Sequence, residues 1–383
     1  MKGSYQKQPI EKKLKRYRGA KQMSIKIKTV LNDLQAYKPG KPIEEVQKEL
    51  GLTSIAKLAS NENPLGSSKA AKAAAIAALS DTSIYPDGYA VNLRAELADF
   101  YKVDGEQLVI GAGLDEVIQI VSRAVLTAGD NIVQATPTFS QYALHADIEG
   151  VEVKSVPVDT DGFHDLKAMM EVVDHNTKIL WLCNPNNPTG TYFSHEELIN
   201  VLSRVPDHVL VIVDEAYAEY AIAEDYPDTM PLIEKHSNLM VMRTFSKAYG
   251  LAALRIGFGV TSKKLNDKLN VVRLPFNTSR VAQSAASVAL ADQAFIAECR
   301  KNNRLGMTQW EAFLSANNYD FYPSQTNFIF FNIDRETAPV FDALLKRGYI
   351  VRAGLRPGWL RITIGTAEQN EGCIAALKAI LAN

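Results

Sequence analysis

The sequence has few cysteines, almost no net charge and no long apolar run. Its three cysteines, Cys183, Cys299 and Cys373, are far apart and form no CxxC pair, which favours free thiols in a reducing compartment over disulfides or a zinc site. The formal net charge is −1, so charge gives no indication of a nucleic-acid partner. No apolar stretch approaches the roughly 20 residues that span a bilayer. We therefore expect a cytoplasmic protein that binds neither nucleic acid nor a membrane.

Several common catalytic motifs are also missing. There is no HExxH and no GxSxG pattern, which argues against a metalloprotease and a serine hydrolase. The glycines at 111 and 113 do not complete a GxGxxG dinucleotide fingerprint, because its sixth position is Glu116. The histidines lie outside the loops discussed below: His145, His164, His175, His195, His208 and His236. No metal site is predicted.

The first 22 residues differ in composition from the rest of the chain. The whole chain of 383 residues is 46% hydrophobic and 22% charged, which is typical of a soluble protein with room for two domains. Residues 1–22 instead crowd lysines and arginines together with almost no apolar side chains. We interpret them as a disordered extension, and a nucleic-acid-binding arm is the alternative.

Short apolar, β-branched runs predict a large sheet. They begin near Leu108, Ile132, Val153, Ile179, Val209, Leu239 and Ile256. Helical segments separate most of these seven runs, which indicates a mostly parallel sheet covered by helices on both faces. Beyond Pro275 the pattern changes to long helices over residues 281–316 and then to alternating short strands and helices, which is typical of a separate α+β unit.

Three of the predicted strands end in polar residues that can serve one chemistry. The run near Ile179 leads into NPNNPTG with Asn187, the run near Val209 ends in Asp214, and the run near Leu239 leads to Lys247. Strand ends of α/β sheets form ligand sites, so an amide, a carboxylate and an amine should meet at one edge. Pyridoxal phosphate needs a carboxylate for its ring nitrogen, a donor for its phenolic oxygen and a lysine for its aldehyde. For a lysine taken alone, a solvated loop position is the simpler explanation.

Two further features can hold a phosphate group. Thr244 and Ser246 lie beside Lys247 and are followed by Arg255, which together offer two hydroxyls and a guanidinium. The run near Leu108 leads into a helix that should begin at about Leu114, directly after two glycines. The free N–H groups and the dipole of a helix N-terminus favour an anion.

The motifs NPNNPTG, DEAY and TFSKAYGLAALRIG, in this order and spacing, resemble the fold-type-I aminotransferases. Within them, ASNENPLG, GLDEVI, PSQTNF and LRITIGT are similar to the histidinol-phosphate aminotransferases. The resemblance covers about residues 29–381. It implies an α/β fold in which a large domain, residues 65–275, carries a mostly parallel seven-stranded sheet with its last strand antiparallel. A smaller α+β domain would comprise residues 29–64, including an N-terminal arm, and 276–383.

The resemblance also implies pyridoxal 5′-phosphate as the cofactor. Lys247 would hold it and act on protons, Asp214 would pair with its ring nitrogen, and Asn187 and Tyr217 would donate to its phenolic oxygen. Phe139 would stack on the ring, although a core phenylalanine is the alternative. The phosphate would lie among the backbone of Leu114 and Asp115, the side chains of Thr244, Ser246 and Arg255, and Tyr85 from the second subunit of a homodimer. Taken alone, Tyr85 is a turn aromatic.

The expected substrates are anions. Arg361 lies between apolar neighbours in WLRITIG, where an anionic ligand explains a charge better than an unpaired position does. For Arg352 an exposed ion pair is the alternative. The resemblance adds Tyr37 and Asn63 on the substrate side, which by themselves are a loop tyrosine and a turn asparagine.

The implied reaction is a transamination in two half-reactions. It would link L-histidinol phosphate and its keto form, imidazole-acetol phosphate, with glutamate and 2-oxoglutarate, as part of histidine biosynthesis. An aromatic aminotransferase acting on phenylalanine or tyrosine is the alternative. A transcription regulator with an aminotransferase-like domain is more remote, because 22 mostly polar residues are too few for a folded winged helix.

Overall fold

The structure is a computed structural model that describes residues 25–34 and 43–382. The chain divides into two compact units, residues 1–37 and 38–383. The described part of the first unit contains one 3₁₀ turn, Thr29–Asn32. The predicted extension over residues 1–22 and the predicted substrate residue Tyr37 lie outside the described residues. The division of the folded chain into a large and a small domain stays a prediction.

The strands of residues 43–382 confirm the predicted sheet. They are β1 Ala56–Lys57, β2 Leu108–Gly111, β3 Asn131–Thr136, β4 Glu152–Pro157, β5 Thr177–Cys183, β6 Leu210–Asp214, β7 Leu239–Thr244, β8 Gly257–Thr261, β9 Phe328–Asn332, β10 Tyr349–Ile350 and β11 Trp359–Thr363. Seven of them form one sheet in the order β2-β8-β7-β6-β5-β3-β4. In this sheet β8 runs antiparallel to both of its neighbours, β2 and β7, and all other pairs are parallel. All seven predicted runs are strands, and the last is the antiparallel one.

Helices connect and cover these strands. They are α1 Ile43–Leu50, α2 Lys69–Ala78, α3 Val91–Tyr101, α4 Leu114–Val125, α5 Gln141–Glu149, α6 Leu166–Glu171, α7 His195–Arg204, α8 Lys263–Val272, α9 Arg280–Ala291, α10 Gln293–Ala316, α11 Thr337–Leu345 and α12 Ala367–Leu381. Helix α4 begins at the predicted residue. Helix α1 was not predicted, although Ile43, Val46 and Leu50 have helical spacing.

The seven-stranded sheet is buried on both faces. Successive side chains of a strand point to opposite faces, and on β5 Leu180 and Leu182 pack into one apolar core while Ile179 and Trp181 pack into the other. A strand buried on both faces must be apolar at every position. This explains why the strands appear in the sequence as continuous apolar runs rather than as alternating patterns.

A third apolar core lies around the antiparallel pair of β9 and β11. Helices α10, α11 and α12 contribute Trp310, Leu344 and Leu377 to it. Strand β11 carries Arg361, and Arg352 lies opposite in an isolated antiparallel bridge. Strand β10 ends at Ile350, so Arg352 faces Arg361 from this single bridge and not from a strand.

Three parallel strands bring the predicted site residues to one edge of the large sheet. In the register of the sheet, Cys183 at the end of β5 pairs with Asp214 at the end of β6, and Asp214 pairs with Met242 of β7. The loops that follow these strands therefore begin next to one another.

The described residues contain neither a membrane-spanning helix nor a metal-binding cluster. No helix among them is both long and apolar enough to cross a bilayer. Within the same residues, no group of three or more histidine, cysteine or acidic side chains is arranged to hold a metal ion. The three cysteines are free and buried.

Candidate active site

Lys247 lies in the loop after β7, partly accessible from solvent. Its Nζ donates a 3.1 Å hydrogen bond to the carbonyl oxygen of Ser60 and lies 5.7 Å from the centre of the Tyr217 ring. Burial of the amine, and next the positive charge of Arg361, lower its pKa to about 8. About a tenth of the amine is therefore unprotonated at pH 7, and this is the form that attacks an aldehyde.

Asp214 ends β6 and is 3% exposed. Its Oδ2 accepts a 2.6 Å hydrogen bond from the Tyr142 hydroxyl, and its Oδ1 accepts one of 3.1 Å from the backbone N–H of Ala216. Burial raises the pKa of the carboxyl group to about 6, against the lowering effect of these two donors. A buried carboxylate is stabilised by a cationic partner, and the protonated ring nitrogen of pyridoxal phosphate is such a partner.

Tyr142 is a site residue that the sequence analysis missed. Its ring stacks on Trp181 at 4.3 Å and meets Phe139 edge-on at 5.6 Å. Helix α5 and the residues before it thus place Phe139, the predicted stacking residue, beside the partner of Asp214. The spacing of three residues between the two rings could have indicated that they share one side of a helix start.

Tyr217 and Asn187 are both left with a hydrogen to donate. The Tyr217 oxygen accepts a 2.9 Å hydrogen bond from Asn61 Nδ2, so its own proton can point elsewhere. Arg361 Nη1 donates to Asn187 Oδ1, which leaves the Asn187 amide N–H groups as donors. This arrangement fits the predicted pair of donors to one phenolic oxygen.

The predicted phosphate residues meet at the start of α4. Arg255 Nη2 lies 3.3 Å from Asp115 Oδ2, and Arg255 Nη1 donates to Ser246 Oγ at 3.5 Å. The Ser246 backbone N–H donates in turn to Thr244 Oγ1 at 3.1 Å. The first N–H groups of a helix have no partner within the helix, so those of Leu114 and Asp115 are available beside this guanidinium.

Gly113 makes room for that guanidinium. It precedes α4 with φ +80°, a conformation that favours glycine. A Cβ at this position would lie 2.5 Å from Arg255 Nη2. The glycine therefore lets Arg255 reach the helix N-terminus, where the two together form a cup for an anion.

Tyr85 is the one predicted phosphate residue that this chain does not bring to the cup. Its side chain is 76% exposed, and its ring stacks on Phe276 at 4.7 Å. Its carbonyl oxygen accepts from Arg280 at 3.3 Å. None of its described contacts involves Thr244, Ser246 or Arg255.

The two predicted substrate arginines share a face. Arg361 is 8% exposed, and its Nη2 donates to the carbonyl oxygen of Ala59 at 2.8 Å. Arg352 and Arg361 exchange two backbone hydrogen bonds, of 3.0 and 2.9 Å, and directly opposite residues of antiparallel strands project to the same side. The two side chains thus project from one face, and Arg361 contacts Asn187 there.

Asn63 lies beside the lysine loop, with its amide bound to protein atoms. Its Nδ2 donates to the Ala248 carbonyl oxygen at 2.7 Å and contacts Cys299 Sγ at 2.9 Å. Its predicted contact with substrate stays a prediction. In the structure, Asn63 connects residues 59–66 with Ala248, the residue that follows Lys247.

Gly250 allows the same two segments to approach closely. It has φ +69°, and a Cβ there would lie 1.8 Å from the carbonyl oxygen of Gly66. Any side chain would therefore force the two backbones apart. The segment that carries Ser60 and Asn61 is held against the loop that carries Lys247.

Comparison with known proteins identifies the family. The sequence model of the family described as "Aminotransferase class I and II" matches residues 53–377. The chain is 53% identical to a histidinol-phosphate aminotransferase of Halalkalibacterium halodurans, over 94% of this chain and 98% of that protein. It is 56% identical to one of Bacillus cytotoxicus, over 92% and 96%. The chain belongs to the histidinol-phosphate aminotransferases, within the class I and II aminotransferases.

Solved structures agree with this family. The histidinol-phosphate aminotransferase of Sinorhizobium meliloti in complex with pyridoxal-5′-phosphate matches this aminotransferase with a TM-score of 0.86 and 26% identity, over 94% of this chain and 99% of that one. An aspartate aminotransferase of Thermus thermophilus, at 21% identity and a TM-score of 0.79, shares the fold, over 94% and 99% of the two chains. The predicted fold type, enzyme class and cofactor are confirmed.

The residues of this aminotransferase fit pyridoxal phosphate. Asp214 is a buried carboxylate that a cation would stabilise, Tyr217 and Asn187 retain donors, and Lys247 is a partly neutral amine. Gly113 and Arg255 form the phosphate cup. When bound, the cofactor supplies an aldehyde that takes up an amino group and a cationic ring that withdraws electrons.

Proposed function

We propose that this aminotransferase transfers the amino group of L-histidinol phosphate to 2-oxoglutarate, which yields imidazole-acetol phosphate and glutamate in histidine biosynthesis. The observation that carries this proposal is the pair of Arg352 and Arg361 on one face, with Arg361 in contact with Asn187. The amino donor carries a phosphate group and no carboxylate, whereas glutamate carries two carboxylates. A guanidinium binds either anion with two parallel hydrogen bonds.

Each active-site residue has a distinct role in the proposed reaction. Lys247 would hold the cofactor and, once displaced by the amino substrate, would move a proton between the α-carbon of the substrate and C4′ of the cofactor. Asp214 keeps the ring nitrogen protonated, and Tyr217 and Asn187 stabilise negative charge on the phenolic oxygen. Arg361 fixes the substrate anion, so that the α-hydrogen faces the amine of Lys247.

Arg352 is the residue we assign to substrate selection. Phenylalanine and tyrosine, the substrates of the alternative activity, carry only the α-carboxylate that Arg361 can bind. The phosphate of histidinol phosphate has charge and oxygens for a second guanidinium. Arg352 should therefore matter more for histidinol phosphate than for an aromatic amino acid.

We further propose a homodimer whose second subunit contributes Tyr85. The support is an exposed apolar surface around this residue, which we call the Tyr85 surface: Ile84, Tyr85, Tyr89, Leu274 and Phe276. A contiguous exposed apolar area is typical of a protein interface, and two copies of one chain most often associate through the same surface. The free, buried cysteines favour the cytoplasm as the location.

A substrate comparison tests the proposed function. We expect the holoenzyme to use histidinol phosphate with a higher kcat/KM than phenylalanine, in a coupled assay that detects glutamate. Arg352→Ala should lower kcat/KM for both substrates unequally, with a fold loss for histidinol phosphate at least ten times the fold loss for phenylalanine. Arg361→Ala should lower kcat/KM for both substrates. Arg347→Ala removes an exposed arginine near the same strands and should change neither. Equal losses for both substrates in Arg352→Ala would contradict the assignment.

A further inference from the structure

Asn61 combines burial with an uncommon backbone conformation. It is 2% exposed and has φ +58°, in the left-handed region that a non-glycine residue seldom occupies. Asparagine tolerates this region better than most residues. Several hydrogen bonds hold it there, one of them from Asn327 Nδ2 to its carbonyl oxygen at 3.0 Å. Backbone strain of this kind persists where the surroundings determine it, often at functional sites.

The side chain of Asn61 connects Thr363 with Tyr217. The backbone N–H of Asn61 donates to Thr363 Oγ1 at 2.9 Å, and Thr363 Oγ1 donates to Asn61 Oδ1 at 3.1 Å. The Thr363 hydroxyl has one proton, and Asn61 Oδ1 takes it. The other end of the amide, Nδ2, therefore faces the Tyr217 oxygen and donates to it at 2.9 Å.

This order of donors fixes the direction of the Tyr217 proton. A phenol oxygen that accepts from Asn61 must place its own hydrogen on another side. Tyr217 is 3% exposed, so water does not compete freely for that hydrogen. The Lys247 amine lies 5.7 Å from the centre of the Tyr217 ring.

We propose that Asn61 is a positioning residue that, together with Thr363, directs the hydroxyl proton of Tyr217 toward the cofactor site. This inference rests on the proposed function, in which Tyr217 donates to the phenolic oxygen of pyridoxal phosphate. Asn61 itself contacts no reacting atom. It sets the direction of a donor before the cofactor arrives, which is the pre-organisation on which electrostatic stabilisation depends.

Strand β11 carries residues for both the orientation of Asn61 and the proposed binding of substrate. Thr363 and Arg361 are two residues apart on β11, so their side chains lie on the same face of the strand. One strand thus presents both the guanidinium for the substrate anion and the hydroxyl that orients Asn61. Residue 60, which precedes Asn61, provides the carbonyl oxygen that accepts from Lys247.

Three substitutions test whether Asn61 sets the direction of the Tyr217 proton or only packs against Tyr217. Asn61→Asp keeps the shape and the tolerance for φ +58°, but a carboxylate can only accept, so the Tyr217 proton turns away from the cofactor. Asn61→Gly also tolerates the backbone and leaves the Tyr217 proton free to rotate. Thr363→Val removes the hydroxyl that orients the amide and tests the same relay from its other end. Asn318→Asp is the matched control, because Asn318 is exposed and has φ +55°.

The first readout is the affinity of the apoprotein for pyridoxal phosphate. We expect Tyr217→Phe and Asn61→Asp each to raise the dissociation constant about 10- to 100-fold, the value of one hydrogen bond to a charged group. Asn61→Gly and Thr363→Val should raise it by less than 10-fold. In the Tyr217→Phe background, Asn61→Asp should raise the dissociation constant by no more than about twofold, because the hydroxyl that Asn61 orients is already absent.

The second readout is the pH midpoint of the visible absorbance of the bound cofactor. A donor to the phenolic oxygen stabilises its negative charge, so loss of that donor should raise the midpoint. We expect the same upward shift in Tyr217→Phe and Asn61→Asp and no shift in Asn318→Asp. A substitution that only loosens the fold would not reproduce the Tyr217→Phe shift.

Two results would overturn the inference, and they differ in what else they imply. If Tyr217→Phe weakens cofactor binding while Asn61→Asp binds normally, or if their losses add in full, Asn61 does not act through Tyr217 and the proposed function stands. If Tyr217→Phe changes neither readout, the role of Tyr217 in the proposed function is wrong as well. Thr363→Val decides the matter if Asn61→Asp fails to fold.

Discussion

Tyr142 donates a 2.6 Å hydrogen bond to Asp214 Oδ2 in the buried region between α5 and the sheet. The other groups that affect the charge of Asp214 are the Ala216 N–H, Asp115 and Glu215. Of these three, only the Ala216 N–H favours the ionised carboxylate, as the Tyr142 hydroxyl does. The charge on which the cofactor ring depends is therefore held by a side chain outside the recognised motifs.

Tyr142→Phe should make cofactor binding more sensitive to acid. The pKa of Asp214 is about 6, so affinity for a cationic ring should fall as pH drops through that value. Removal of a donor to the carboxylate raises this pKa further, and the fall should begin at a higher pH. Cofactor affinity measured between pH 5 and 8 would show the shift. Tyr226→Phe, which loses a 2.6 Å hydrogen bond to the Asn184 carbonyl oxygen, should leave the pH dependence unchanged.

Lys247 should react as an amine with a pKa near 8. Because the unprotonated form attacks, the initial rate of cofactor uptake by the apoprotein should rise with pH up to about 8 and then level off. Lys247→Ala should lose turnover by several orders of magnitude, and borohydride should fix the cofactor onto residue 247 in the unmodified protein. Lys264→Ala, at an exposed position, should behave normally. A borohydride adduct on another lysine would contradict the assignment.

Gly250→Ala should destabilise the protein more than an alanine at an open glycine with similar φ. The new Cβ would lie 1.8 Å from the Gly66 carbonyl oxygen, so a backbone must move, at about 1–3 kcal/mol beyond the cost of the left-handed conformation. Gly150→Ala is the control, because φ is +76° there and nothing lies within 4 Å of the Cβ position. Urea unfolding of both variants measures the difference. Similar losses would show that residues 59–66 move at little cost.

Mixing two inactive variants should restore activity if Tyr85 acts across a homodimer. Tyr85→Ala and Lys247→Ala each damage a different part of the shared site. In a hybrid dimer one pocket carries both defects and the other carries neither. Random exchange in an equal mixture makes half of the dimers hybrids, so about a quarter of normal activity should return. Sedimentation must show that hybrids form. An active monomer, or hybrids without activity, would contradict the shared site.

The sequence predicted those parts of the structure that depend on local patterns. All seven strands of the large sheet follow from apolar runs, and the start of α4 at Leu114 follows from the glycines before it. Lys247, Asp214 and Arg361 each lie at the end of a run or within an apolar run, where a charge needs an explanation. Such signals are carried by a few neighbouring residues.

Asn61 could not be found in this way, and for Tyr142 the spacing from Phe139 indicates a shared side of the helix start but not the contact with Asp214. Asn61 is 156 residues from Tyr217, and Tyr142 is 72 residues from Asp214. Their roles depend on which side chains the folded chain brings together, and neither a buried asparagine nor a core tyrosine has a periodic pattern. The position of Tyr85 relative to the phosphate cup depends on a second copy, which no pattern within one chain describes.

The position of Arg361 late in the sequence determines when it is synthesised relative to the other active-site residues. The strands of the large sheet end at Thr261 and the loop with Lys247 precedes that residue, whereas Arg361 and Thr363 come about a hundred residues later. Chains leave the ribosome from the N-terminus, and earlier segments can fold first. The reactive amine and the carboxylate are thus synthesised well before the guanidinium that holds the substrate. The positive charge of Arg361, which helps to lower the pKa of Lys247, is thus among the last parts of the environment of that amine to be synthesised.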